Sequence, residues 1–230
     1  MRRLGDALKA AVSEGYEPSE GSAARSALMN ENRRRVFEYL AWHPCATVGE
    51  VADALAVSDP TAAWHLAKLV EAGYAQPVQA PSRSFCAAGL NLQEAEVSVL
   101  AALARGDAPR ALALVLTTPG LTAGQLAAKM ERRSARRVLQ ELADAGLLVA
   151  VVDGRFRRFY PGGAVSAIER NASRRLRDFR RRLLRRLEQD RLAPELRMAP
   201  GDAVEIDLHF GDDRATLRLP TASLITGRLR

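Results

Sequence analysis

Arg132, Arg133, Arg136 and Arg137 crowd one short stretch of the chain, and Arg155, Arg157 and Arg158 follow a little downstream. A guanidinium is a planar, permanently charged fork. It clamps a phosphate or meets guanine O6 and N7 in bidentate fashion, so this grouping has the chemistry of nucleic-acid contact. A poorer set precedes it: Thr61, Ala62, His65 and Lys68, with Arg83 further on. Thr and Ala methyls suit a thymine methyl, and Thr61 and Lys68 suit phosphates. A third set, Arg174, Arg177, Arg181 and Arg185, lies within the arginine-dense stretch 170–186 and would supply accessory contacts.

The chain has 230 residues, with 34 Lys and Arg against 27 Asp and Glu, a formal net charge of +7. A positive excess suits a polyanionic partner. Only Lys9, Lys68 and Lys129 are lysines. So strong an Arg and Ala bias is also what a GC-rich genome yields, so the placement of the charge carries the argument and its total does not. Cys45 and Cys86 are two isolated thiols with neither a disulfide framework nor a zinc spacing. They suit a reducing compartment, and the expected location is cytoplasmic and nucleoid-associated. No stretch approaches the roughly 20 apolar residues of a membrane span, so no membrane partner is expected. With no phosphate loop, nucleophile elbow, zinc-hydrolase motif or paired acid and base cluster, neither an enzyme nor a cofactor is expected.

What would position these side chains is an internal repeat. Thr47-Val48-Gly49-Glu50-Val51-Ala52 matches Thr122-Ala123-Gly124-Gln125-Leu126-Ala127, and Leu66, Leu69, Glu71, Ala72 and Gly73 match Leu139, Leu142, Asp144, Ala145 and Gly146. The second copy is two residues shorter between its helices. In each, a Thr with Glu or Gln three residues later makes a capping box that starts a short helix. A turn and a second helix follow, over about 60–72 and 134–145, ending at a glycine suited to the left-handed position. That is helix-turn-helix spacing, in which the start of the second helix enters the major groove. Trp64 and Leu66 read as core residues of this helix. After Gly146, two β-prone runs flank Asp153-Gly154, the pattern of a type I′ hairpin; the first copy continues through two prolines into a looser hairpin. Helices over 32–42 and 109–117 would complete the two units, and one over 93–104, with Val97, Leu100 and Leu103 inward, would join them.

ENRRRVFEYL followed by TVGEVADALAVSDPTAAWHLAKLVEAGYA resembles the winged helix-turn-helix of ArsR-like transcriptional regulators. Ser58, Thr61, His65, Leu66, Leu69, Glu71, Ala72 and Gly73 carry that resemblance, and the tandem arrangement is similar to archaeal regulators with two such units. The resemblance implies a DNA-binding winged fold and raises metal sensing through Cys or His. The paired cysteines of that chemistry are absent and His65 belongs to the recognition-helix pattern, so no metal site is assigned to His43, His65, Cys45 or Cys86.

Beyond the repeat, residues 165–192 place Ile168, Ala172, Leu176, Phe179, Leu183 and Leu187 at helical steps, an apolar stripe that would pack on the wings or form a dimer seam. Arginines four apart on its other faces repel, a strain that a polyanion would relieve; a membrane-surface helix is the alternative. AVEIDLHFGDDRATLRLP alternates around Gly211-Asp212-Asp213 and reads as a β-hairpin before a short helix. Two strands alone are marginal in water, so this hairpin would cover the body or join two copies as a homodimer.

The expected fold is therefore mainly α with small β-wings. It comprises an arm and linker over 1–25, winged units over 26–89 and 107–162, a connecting helix over 90–106, and a basic helix and hairpin over 163–230. The expected function is double-stranded DNA binding in transcription regulation; alternatives are an architectural, chromatin-like protein and a protein-interaction module.

Overall fold

The computed structural model describes residues 27–80, 82–131 and 135–229, so the arm expected over 1–25 lies outside them. Helix α1 (Glu31–Trp42) starts at Asn30, whose side chain accepts from the Arg33 N–H at 3.1 Å, and turns Val36, Phe37, Leu40 and Ala41 inward. Strand β1 (Ala46–Thr47) leads into α2 (Val48–Leu55). The predicted capping box is present: the Thr47 N–H donates to Glu50 Oε2 at 2.8 Å, and the Glu50 N–H to Thr47 Oγ1 at 3.3 Å. Helix α3 (Asp59–Glu71) is capped by Ser58, and strands β2 (Ala75–Val78) and β3 (Ser84–Ala87) form the loose hairpin, joined through residues 79–83.

The connecting helix is α4 (Glu94–Leu103), with Val97, Leu100 and Leu103 buried. The earlier element order then recurs in α5 (Ala108–Thr117), β4 (Leu121–Thr122), α6 (Ala123–Met130), α7 (Ala135–Asp144), β5 (Leu148–Asp153) and β6 (Phe156–Pro161). Thr122 and Gln125 repeat the capping box. Both three-stranded sheets have the same plan, with the short strand beside the last one: β1-β3-β2 and β4-β6-β5. In the second hairpin Asp153 pairs with Phe156, so the central turn residues are Gly154 and Arg155. Positive φ falls on Gly154 (+58°) and not on Arg155, which fits a type II′ turn and corrects the expected type I′ centred on Asp153-Gly154.

Helix α8 (Gly163–Gln189) is the long basic helix. Its six stripe residues are all buried in the chain's own core, and Phe179 lies 6.4 Å from Phe37 of α1, centroid to centroid. A dimer seam along that stripe is therefore overturned, because the first unit already covers it. Several of its arginines also find hydrogen-bond partners within the chain. Arg175 bonds Glu96 (2.6 Å) and Asn91 O, Arg182 bonds Gly89 O (2.7 Å), and Arg180 bonds Pro220 O (3.1 Å). Arg186 bonds Asp190 and Ala72 O, so carboxylates offset the charge of Arg175 and Arg186, and carbonyls hold Arg180 and Arg182 in place, without a polyanion.

The C-terminal hairpin gains a third strand. β7 (Glu195–Met198) pairs with β8 (Ala203–Phe210), which pairs with β9 (Asp213–Pro220), and a short α9 (Thr226–Leu229) follows. Among the described residues the fold is thus helical with three small antiparallel sheets, one more than the two hairpin sheets before α8. The hairpin covers the body: Trp42 Nε1 donates to Arg218 O at 3.0 Å and the Arg218 N–H to Glu38 Oε1 at 2.7 Å. Cys45 and Cys86, isolated in sequence, meet with their Sγ atoms 3.4 Å apart in the buried core of the first sheet.

Candidate nucleic-acid interface

Two grooves, one between α3 and the β2–β3 hairpin and one between α7 and the β5–β6 hairpin, occupy equivalent places but have opposite chemistry. In the second, α7 presents Arg136, Arg137 and Gln140, the start of α6 presents Thr122, Ala123 and Gly124, and the hairpin presents Arg155, Phe156, Arg157 and Phe159. They enclose an open groove of about 860 Å³, and no carboxylate is among the described residues lining it. Arg157 Nη1 donates to Gln140 Oε1 at 2.9 Å, tying hairpin to helix. Arg155 and Arg157 lie over Phe156 and Phe159, with Cζ 5.0 and 5.7 Å from the ring centroids. The aromatic faces splay these guanidinium groups without neutralising them. Arg136, Arg137, Arg155 and Arg157 are all exposed, and Arg137 has only a loose pairing with Glu141, at 3.4 Å. Surface pairs of that kind contribute little, so the charge remains available to a phosphate.

Arg158 differs from its neighbours. It is half-buried, bonded to Asp153 Oδ2 at 2.6 Å and to Gly120 O at 3.2 Å, which braces the hairpin against the loop before β4. Arg132 and Arg133 lie outside the described residues.

The corresponding groove of the first unit holds about 320 Å³ and is lined by Val48, Ala63, Ala67, Val70, Pro77 and Phe85, with Glu71 and Arg83 beside them. Ala63 and Trp64 stand where the repeat places Arg136 and Arg137 in the second unit. Thr61, Lys68 and Arg83 are exposed, with Lys68 bonded to Glu71 at 2.8 Å and Thr61 Oγ1 to Ser58 Oγ at 2.8 Å.

Ala62 and His65 are turned inward, at 0% and 5% exposure, so neither side chain reaches a partner surface. Their spacing with Leu66 and Leu69, at i, i+3, i+4 and i+7, is the signal that places them on the core face. Burial, with Arg33 adding repulsion, pushes the His65 imidazole below its ordinary value and keeps it neutral at pH 7. Trp64, expected in the core, is 52% exposed on the opposite face of α3, where it shares the outward side with Lys68 and Glu71. On α8, Arg174, Arg177, Arg181 and Arg185 are exposed and form one outward stripe, with Arg174 bonded to Asn171 at 3.3 Å and Arg181 4.0 Å from Asp178.

Among the described residues no cluster of His, Cys, Asp or Glu is arranged to hold a metal ion, and no helix is long and apolar enough to cross a membrane. No curated protein and no solved structure matches this chain. Residues 28–73, which run from before α1 to the glycine after α3, match the family model of a helix-turn-helix domain, and this match supports DNA binding and a regulatory, non-enzymatic role.

Proposed function

We propose that the protein is a transcriptional regulator that binds double-stranded DNA with two winged helix-turn-helix units of unequal strength. The observation that carries this reading is the arginine-rich groove between α7 and the β5–β6 hairpin, whose described lining holds no carboxylate. The start of α7 enters the major groove with Arg136 and Arg137, and Arg132 and Arg133 immediately before it add charge at the same end. The hairpin sets Arg155 and Arg157 on the flanking phosphates, and Arg158 holds the hairpin's angle. The first unit contributes Thr61, Lys68 and Arg83, a lighter set around an apolar groove. Its match to the helix-turn-helix family and its resemblance to ArsR-like regulators support the regulatory role.

The exposed stripe of Arg174, Arg177, Arg181 and Arg185 favours a second reading, an architectural DNA-binding protein that makes mostly phosphate contacts. Genome-wide footprinting separates the two readings. Discrete protected sites are expected for a regulator, and coverage that is uniform apart from local base composition would replace it with the architectural reading.

A further inference from the structure

We propose that the outer edge of β7 is the seam of a two-fold homodimer, in which β7 of one copy pairs antiparallel with β7 of a second. β7 ends its sheet, and among the described residues no strand lies beyond it. An edge strand leaves alternate N–H and C=O groups facing outward, ready to form a ladder with another chain. All four β7 residues are exposed, Leu196 by 52% and Met198 by 85%.

These two are not scattered surface residues. Leu196 lies opposite Ile206 and Met198 opposite Val204, so both belong to the sheet face whose other members are buried against the body. That face runs past its own cover at β7. A second copy added at this edge extends the sheet to six strands, and a pairing centred on Leu196 sets the two Leu196 side chains together with each Met198 diagonal to the other copy's Leu196.

The charges select the occupant. A two-fold axis through the strand pair makes one residue face itself. Centred on Leu196, it sets Glu195 against Arg197 of the second copy, and Arg197 against Glu195, with leucine against leucine between them. Within one chain Glu195 has the like-charged Asp207 directly opposite, and Asp207 already engages Arg197 at 2.8 Å. Like charges in register destabilise a ladder, and the second copy's Arg197 supplies a cation to Glu195, which meets none among the described residues. A sequence complementary to itself at an unpaired edge points to another copy of this chain.

A ladder of three residues from each copy makes a weak, concentration-dependent dimer. A two-fold protein carries two arginine grooves in inverted orientation and so calls for DNA sites with two inverted half-sites. That corollary rests on the DNA-binding reading; the dimer itself does not.

Sedimentation of the full chain without DNA, over a concentration series, tests the seam. The wild type should pass from monomer to dimer. Arg197→Glu opposes two like-charge pairs per dimer and should weaken association roughly tenfold or more. Glu195→Arg combined with Arg197→Glu restores complementarity in the same register and should restore the dimer. Met198→Lys should weaken it too, and circular dichroism confirms that each variant is folded. A chain that stays monomeric at every concentration overturns the proposal, including the case in which residues 1–26 cover the edge. So does a dimer that Arg197→Glu leaves intact, or one that the double exchange fails to recover.

Discussion

Arg157 on β6 donates to Gln140 Oε1 on α7 across 2.9 Å, so the β5–β6 hairpin and α7 are joined by a side-chain bond inside the groove they form. The bond fixes the separation of two arginine pairs on different elements, Arg136 and Arg137 on the helix, Arg155 and Arg157 on the hairpin. The first unit has no counterpart, since Ala67 stands where the repeat places Gln140.

That difference gives a gain-of-function prediction. Ala63→Arg with Trp64→Arg puts guanidinium groups where the second unit carries Arg136 and Arg137. If the first groove faces DNA in the complex, affinity for any duplex should rise, and the slope of log K against log salt should steepen by up to about 1.8, roughly 0.9 per added phosphate contact. Filter binding or fluorescence anisotropy over a salt series reads both. Unchanged affinity and slope would mean that the first groove points away while the second is engaged.

A second prediction concerns how α8 holds the first unit. Arg186 donates to Ala72 O at 3.0 Å, just past the end of α3, bonds Asp190 at 3.0 Å and lies over the Tyr74 ring, while the Tyr74 hydroxyl donates to Asp190 at 2.5 Å. Burial and the Asp190 carboxylate hold the Tyr74 phenol protonated, well above its usual range. Tyr74→Phe and Arg186→Ala should each lower stability by about 1–2 kcal/mol, because each leaves polar groups short of partners. The measurement is the urea midpoint at unchanged slope, and no shift in either variant would show that this network carries no stability. The buried stripe of α8 has a related consequence: truncation at Gly163 strips the core of the first unit and should unfold the chain, so point substitutions on its exposed arginines are the informative ones.

A third prediction is a pH dependence from His65. Its folded value is held below the ordinary 6.5 by burial. Below about 6.5 the unfolded chain therefore takes up a proton that the folded chain refuses. Stability should be full above that value and decline as pH falls toward the folded one. His65→Leu should flatten the decline in denaturant midpoints measured between about pH 5 and 8. An unaltered profile would place the acid sensitivity elsewhere.

The capping boxes at Thr47 and Thr122, the helices they start and both hairpins were legible because their signals are local, within a few residues of sequence. For Ala62 and His65 two sequence signals conflict, the recognition-helix motif that sets them outward and the helical spacing with Leu66 and Leu69 that sets them inward, and packing follows the spacing. Trp64 was assigned inward on its residue type, although the same spacing sets it on the opposite face. β7 was too short to read: Glu195-Leu196-Arg197-Met198 alternates polar and apolar residues over only four positions, all four exposed, and its strand character comes from pairing with β8. The meeting of Cys45 with Cys86 and the capture of the α8 arginines by carbonyls of the first unit are nonlocal, fixed only when the sheets and helices pack.

The proposed DNA grip, the arginine groove between α7 and the β5–β6 hairpin, is open to a two-variant test. The direct measurement compares the wild type with Arg136→Ala/Arg137→Ala on an arbitrary duplex across a salt series. The account predicts markedly weaker binding and a slope smaller by about 0.9 for each lost phosphate contact, with the fold unchanged by circular dichroism. Equal affinity and equal slope in the two proteins would contradict it.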